Sequence, residues 1–325
     1  FAEAETGDVP PQRVPWARPG WYAEASAWIT AHLGRLNLAV NGPLVQRRSW
    51  ATSCILKVDT PSGDIYFKAV SAPFAHEPPL LAALTAWYPA HLPPVLAMDR
   101  ERGWLLTGGV GDVVLDKVTE LVRWEEALAV FAELQIGLVK KRGYLVALGC
   151  PERPLRTLAA QLTTLLAEWR NPTFARSQVS NLALLCEELA DCGVPDTLEH
   201  GDFWPGNIFL SDGRYIYLDW SNSSLAHPFF SLASFFYYVE NYRPDLPPEV
   251  SARLRDAYLM PWTIFASKER LQQAFSLALV LAGLHHAITY QCYILPRLEP
   301  EARWEVAMAV PYYIQQMLRH MAGII

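Results

Sequence analysis

The chain has 325 residues, 51% of them apolar and 18% charged, with 12 Trp, 14 Tyr and 13 Phe, a composition that excludes a disordered or fibrous protein. Its 27 Lys and Arg against 33 Asp and Glu leave a net charge of −6 at pH 7, which argues against a nucleic-acid footprint and points to a small partner. At roughly 150 residues per domain, this length favours two lobes, with chemistry expected in a cleft.

The opening FAEAETGDVPPQRVPW is acidic and carries Pro, with neither the basic start nor the apolar core of a secretory signal. Cys54, Cys150, Cys186, Cys192 and Cys292 are odd in number and widely spaced, so free thiols in a reducing cytoplasm are expected. Residues 21–36 then place Ala25, Trp28, Ile29, Leu33 and Leu36 on one helical face. From residue 43 to 70 the period changes, and three short strands are predicted: PLVQRRS, SCILKVDT and DIYFKAV, with PSGD as the turn between the last two. A helix follows in PPLLAALTAWY, and then a strand pair in VLAMDRERGWLLTG.

Beyond about residue 112 the chain reads as predominantly helical, with helices predicted over 124–139, 155–170, 179–193, 250–260, 271–294 and 304–321. The most apolar run, 274–295, contains His285, His286 and Gln291, costly groups in lipid, so it is expected to be a buried helix with no membrane contact. His285 and His286 lack a third ligand at metal spacing and read as structural. The predicted class is α+β, with an N-terminal lobe over 1–110 and a helical lobe over 111–325.

One stretch interrupts the helices: LEHGDFWPGNIFLSDGRYIYLDWSN. His200, Asp202, Asn207 and Asp219 are polar residues set among apolar ones, and the turn SDGR separates two short strands. A loop that ends in such a hairpin sets Asn207 and Asp219 side by side. Two hard oxygen donors in that position suit Mg2+, which takes one or two protein oxygens together with phosphate.

HGDFWPGN followed by LDW resembles the catalytic-loop and metal-binding motifs of the aminoglycoside phosphotransferase and choline kinase-like family, small-molecule relatives of the protein kinases. The resemblance implies a two-lobed protein kinase-like fold and Mg-dependent transfer of the terminal phosphate of ATP or GTP to a small hydroxyl-bearing acceptor. It implies Asp202 as the catalytic base, Asn207 and Asp219 as metal ligands, and His200 as a structural residue of the loop. Lys68, alone among apolar neighbours at the end of the third predicted strand, and Glu77, nine residues on, match the pair that grips the α and β phosphates. Lys57 precedes an acidic turn and is expected to be solvated.

The sequence departs from the kinase pattern in two places. The loop between the first two strands, RSWATSC, has no glycine, leaving Ser49, Thr52 and Ser53 as candidates to meet the nucleotide. DWS stands where kinases carry DFG, and no APE-like segment follows, so a protein kinase is disfavoured. WLLTGGVGD is the expected hinge, with Thr107 neutral between ATP and GTP. Acceptor candidates on the C-terminal helices are Tyr237, Tyr238, Glu240, Tyr242, His286, Tyr290 and Tyr293, whose aromatic faces suit an amine or quaternary ammonium. The same rings at helical spacing also read as core. The alternatives are a catalytically silent nucleotide-binding regulator and a metallohydrolase built on His200, Asp202 and Asp219.

Overall fold

A computed structural model describes residues 9–111, 113–168 and 176–322. The acidic opening residues 1–8 and the last two residues of the helix predicted over 155–170 lie outside that set. The chain divides into two compact units, residues 1–111 with 293–307, and residues 112–292 with 308–325.

In the first unit, alternation sets the sheet. Cys54, Leu56 and Val58 of β2 (Ser53–Thr60) and Ile65, Phe67 and Ala69 of β3 (Gly63–Val70) are all buried, and Leu56 faces Phe67 across an antiparallel ladder. With β1 (Val45–Ser49), β4 (Val95–Asp99) and β5 (Trp104–Gly108) they form a five-stranded antiparallel sheet in the order β1-β2-β3-β5-β4. The helix Trp21–Arg35 covers it with Trp21, Ala25, Ile29 and Leu33, four residues apart on one stripe. Ile29 and Leu33 are fully buried, worth about 1.5–3 kcal/mol each. Trp21 and Trp104 pack against Phe67 with ring centroids at 6.1 and 5.5 Å. The helix Glu77–Trp87 lies between β3 and β4 in the chain.

Residues 293–307 pack with this unit, although their position in the chain groups them with the helical lobe. Arg13 Nε meets Glu299 Oε1 at 2.8 Å, and Gln12 Nε2 donates to the carbonyl of Pro296 at 3.3 Å.

The second unit is built around the helix Lys268–Ile288, started by Ser267, whose hydroxyl accepts from Arg270 N. Among the described residues, the helical stretch Lys268–Arg297 is long and apolar enough to cross a membrane, and 78% of its most apolar window is buried inside the protein. Gly283 lets the helix Ala309–Ala322 approach closely, because a Cβ there would stand 2.6 Å from the carbonyl oxygen of Tyr313. The helix predicted over 304–321 starts only at Ala309. Pro311 explains the shift: with no N–H and a ring that clashes with the preceding turn, proline fits the first turn and not the interior. The helix Leu232–Tyr242 carries Tyr237, Tyr238, Glu240 and Tyr242, although no helix is predicted over that range from periodicity, because its run of aromatics lacks a strong helical preference.

Cys54, Cys150, Cys186 and Cys192 are buried thiols, and Cys292 is half-buried. Burial pushes Cys54 up to about 11 and Cys186 up to about 12, so both stay protonated near neutrality.

His227 starts the turn Pro228–Ser231 with Nδ1 accepting from Phe229 N, and burial lowers its pKa to about 3. The unfolded chain therefore takes up a proton at His227 below about pH 6.5 that the folded chain refuses. Stability is expected to fall from about pH 6.5 towards pH 3 with a slope of about 1.4 kcal/mol per pH unit from this group. Urea unfolding of His227→Asn across that range should show the slope reduced by one proton, and a slope equal to wild type would place the titration elsewhere.

Candidate active site

The chemistry-bearing segment leaves a buried two-stranded ribbon. β7 (Thr197–Glu199) pairs antiparallel with β10 (Ser224–Ala226), Glu199 opposite Ser224. His200 is fully buried: its backbone N–H donates to Ser231 Oγ at 2.9 Å, and Nε2 lies 3.0 Å from the carbonyl of Leu218. Asp202 N donates to His200 Nδ1 at 3.3 Å, so the ring proton sits on Nε2 and goes to Leu218. One histidine thus ties the loop of Asp202 to the strand end that carries Asp219.

The loop is pinned from both sides. Phe203 stacks on Phe131 with centroids 3.9 Å apart and lies 5.6 Å from Phe235. Gly201 has φ +80°, and a Cβ would stand 2.3 Å from the backbone oxygen of Asn222. Gly201→Ala should therefore destabilise the unit by roughly 2–4 kcal/mol and take turnover with it. Urea unfolding within about 0.5 kcal/mol of wild type would refute that close approach.

After the turn Pro205–Asn207, β8 (Ile208–Ser211) and β9 (Arg214–Tyr217) form the predicted hairpin, with Ile208 opposite Tyr217. Its two-residue loop, Asp212 and Gly213, takes φ +50° and +75°, the left-handed pair that Asp-Gly supplies. A third strand, β6 (Val113–Val114), completes this small sheet in the order β6-β8-β9. Leu218 N donates to the carbonyl of Asn207 at 2.9 Å, continuing the ladder beyond the hairpin. That bond sets Asp219 beside Asn207.

Asn207 Nδ2 donates to the backbone oxygen of Asp202 at 2.8 Å and to its Oδ2 at 3.0 Å. With both amide hydrogens committed there, the amide oxygen faces away from Asp202. Asp219 is a non-glycine residue at φ +61°, a conformation that costs about 1–3 kcal/mol and marks a constrained position. Ser221 Oγ donates to its Oδ1 at 2.7 Å. An amide oxygen and a carboxylate held together by a strand ladder are the hard donors that Mg2+ takes.

In the first unit, Lys68 Nζ meets Glu77 Oε1 at 2.7 Å, with side chains 14% and 2% exposed. Lys57 instead bridges Asp59 at 3.0 Å and Asp64 at 2.8 Å, its half-buried side chain lying on the inner strand β2. Ser53 is buried in β2, while the carbonyl of Thr52 accepts from Ser71 N and Oγ at 3.0 and 3.2 Å. In the expected hinge, Thr107 Oγ1 donates to the carbonyl of Tyr66, and the N–H groups of Gly108 and Gly109 go to Pro94 and Asp64.

Of the acceptor candidates in the second unit, Tyr290 feels the charge of both carboxylates. Burial raises its phenol pKa, with Asp202 and Asp219 adding to the shift. Tyr313, at 5.8 Å and nearly parallel to Tyr290, was missed by the sequence reading; burial, Tyr290 and Asp202 raise it in turn. Tyr238 approaches the loop through Trp204, 5.7 Å away, and stacks on Tyr242. Glu240 is exposed and His286 is buried against Tyr313.

His285 and His286 do acquire a third neighbour, Glu199, their ligand-type atoms all lying within 4.8 Å. The sequence hid it, because Glu199 lies 86 positions before the nearer histidine. Glu199 Oε1 accepts from Gly201 N at 2.6 Å, and Oε2 accepts from Ser224 Oγ at 3.2 Å with His285 Nε2 at 3.6 Å. Burial raises the Glu199 pKa and lowers those of both histidines. Through its bond to Gly201 N, Glu199 is a buried support directly behind the loop of Asp202, with the two histidines packed beside it.

A family model described as "Phosphotransferase enzyme family" matches residues 44–271, well over half of the chain. No curated protein matches it in sequence. Among solved structures, the choline kinase LicA from Streptococcus pneumoniae is 14% identical with a TM-score of 0.60, over 92% of this chain and 99% of that one. The GDP and kanamycin complex of APH(2")-IIia is 13% identical with a TM-score of 0.59, over 91% and 99% of the two chains. The macrolide 2'-phosphotransferase MphH from Brachybacterium faecium is 17% identical with a TM-score of 0.54, over 87% and 97%. These likenesses show a kinase-like fold, as the motif resemblance implied.

Proposed function

The chain belongs to the phosphotransferase enzyme family, small-molecule kinases acting on hydroxyl groups, and from that premise we propose that it moves the terminal phosphate of ATP or GTP, bound with Mg2+, to a hydroxyl of a small acceptor. The observation that carries this reading is the triad of Asp202, Asn207 and Asp219, set by the Asn207–Asp202 bonds and the Leu218–Asn207 ladder bond.

In phosphoryl transfer, negative charge spreads over the phosphoryl oxygens, so positioning and cations supply most of the acceleration. Asp202 orients the acceptor hydroxyl and takes its proton as transfer proceeds. Asn207 through its amide oxygen and Asp219 through its carboxylate would hold the metal. Bound Mg2+ screens the phosphate charge. Lys68, fixed by Glu77, holds phosphate oxygens by charge-assisted hydrogen bonds. Tyr290 and Tyr313 neighbour Asp202 and offer aromatic faces to the acceptor, supporting a small organic molecule that is neutral or cationic.

The neighbours named for GDP, kanamycin and choline kinase support a nucleotide donor and a small acceptor. A silent nucleotide-binding regulator would retain the fold but has no use for the complete set Asp202, Asn207, Asp219 and Lys68. The reading also places the enzyme in the cytoplasm, where the donor is abundant. Coupled assays of ADP and GDP release with Mg2+, over amino alcohols, aminoglycosides, macrolides and sugars, test it. A folded sample that shows neither nucleotide binding nor acceptor-dependent release would overturn it.

A further inference from the structure

The loop between β1 and β2 lacks the glycines expected of a phosphate-covering loop, and its central backbone amide is already taken. Ala51 N donates to Glu305 Oε2 at 2.6 Å, and Ala51 is only 3% exposed. The carboxylate comes from the turn Pro300–Glu305, 254 residues further along the chain. Arg13 with Glu299 and Gln12 with Pro296 fasten residues 293–307 to the N-terminal segment, and Trp16 Nε1 donates to the carbonyl of Trp50 at 3.0 Å on the same loop. An oxyanion on a tight-loop amide is the chemistry of a phosphate site. Here the oxyanion is the protein's own.

Resting on the reading that this lobe binds a nucleoside triphosphate, we propose that Glu305 is a specificity-determining residue for the phosphate donor, its carboxylate holding the Ala51 amide that a phosphate oxygen takes when the donor binds. Donor binding exchanges one charge-assisted hydrogen bond for another, so this amide adds little net affinity. The displaced carboxylate also remains beside the phosphates, and like charges repel. Glu305 therefore weakens binding in proportion to the phosphate charge and leaves the nucleoside moiety untouched. Neither the kinase motif nor Lys68 predicts this dependence.

Titrating full-length wild type, E305Q and E305A with adenosine, ADP and ATP, and with the guanine series in parallel, tests the proposal. E305A is expected to bind the triphosphate about tenfold more tightly with adenosine or guanosine affinity unchanged, and E305Q, which keeps an amide oxygen for Ala51, should gain less. Thermal unfolding confirms that each variant is folded. Unchanged or weaker triphosphate binding by folded E305A, or an equal gain for the nucleoside, overturns the proposal while leaving the donor reading intact. Wild type that binds no nucleotide at all overturns the donor reading, and this proposal with it.

Discussion

Asp202→Asn should lower turnover by about 10²–10⁴-fold while nucleotide affinity stays within about twofold of wild type. The substitution is nearly isosteric, and the backbone oxygen of Asp202 still accepts from Asn207 Nδ2, so the turn Pro205–Asn207 and the hairpin behind it persist. What disappears is the carboxylate that, in the proposed mechanism, takes the acceptor's proton. Asn207 also loses a charged partner at 3.0 Å, a secondary change that moves stability by about 1 kcal/mol. Steady-state kinetics with a nucleotide titration separate the two effects. Equal loss of turnover and nucleotide affinity would remove Asp202 from the role of base and make it a structural residue of the loop.

The second large effect concerns Lys68 and Glu77. Lys68→Met removes the partner of a carboxylate that is 2% exposed, and breaking a buried pair in this way costs about 3–5 kcal/mol. The same change removes the proposed phosphate grip and should weaken nucleotide binding by about ten- to a hundredfold. A cycle with Glu77→Leu distinguishes these consequences. The double variant Lys68→Met/Glu77→Leu should recover most of the stability, because two packed apolar side chains replace the pair, and should recover none of the affinity. Affinity that returns with stability would assign the pair to folding alone.

The site was unevenly legible. HGDFWPGN and LDW lie within twenty-one consecutive residues, and the Asp-Gly turn between them fixes a hairpin register that sets Asn207 near Asp219. Lys68 and Glu77 are nine positions apart, separated only by the link from β3 to the next helix. Short-range spacing therefore brought out both groups as candidates, and the structure pairs Asn207 with Asp202 and Lys68 with Glu77. Tyr313 lay inside a predicted helix but had no spacing that tied it to Asp202. Glu199 directly precedes His200, an acid in a buried strand, and that incongruity was the available signal.

From the sequence alone came the strands β2 and β3 and the helix Trp21–Arg35, whose apolar periods are local, together with the loop-and-hairpin motif and the family it resembles. The tertiary structure decided that residues 293–307 return to the first unit, that Glu305 caps the Ala51 amide, and that Glu199 meets His285 and His286 behind the loop of Asp202. Periodicity and turn chemistry are set by neighbours along the chain, so they can be read in order. A contact closing a loop of 86 or 254 residues depends on the path of everything between, and no local pattern encodes it.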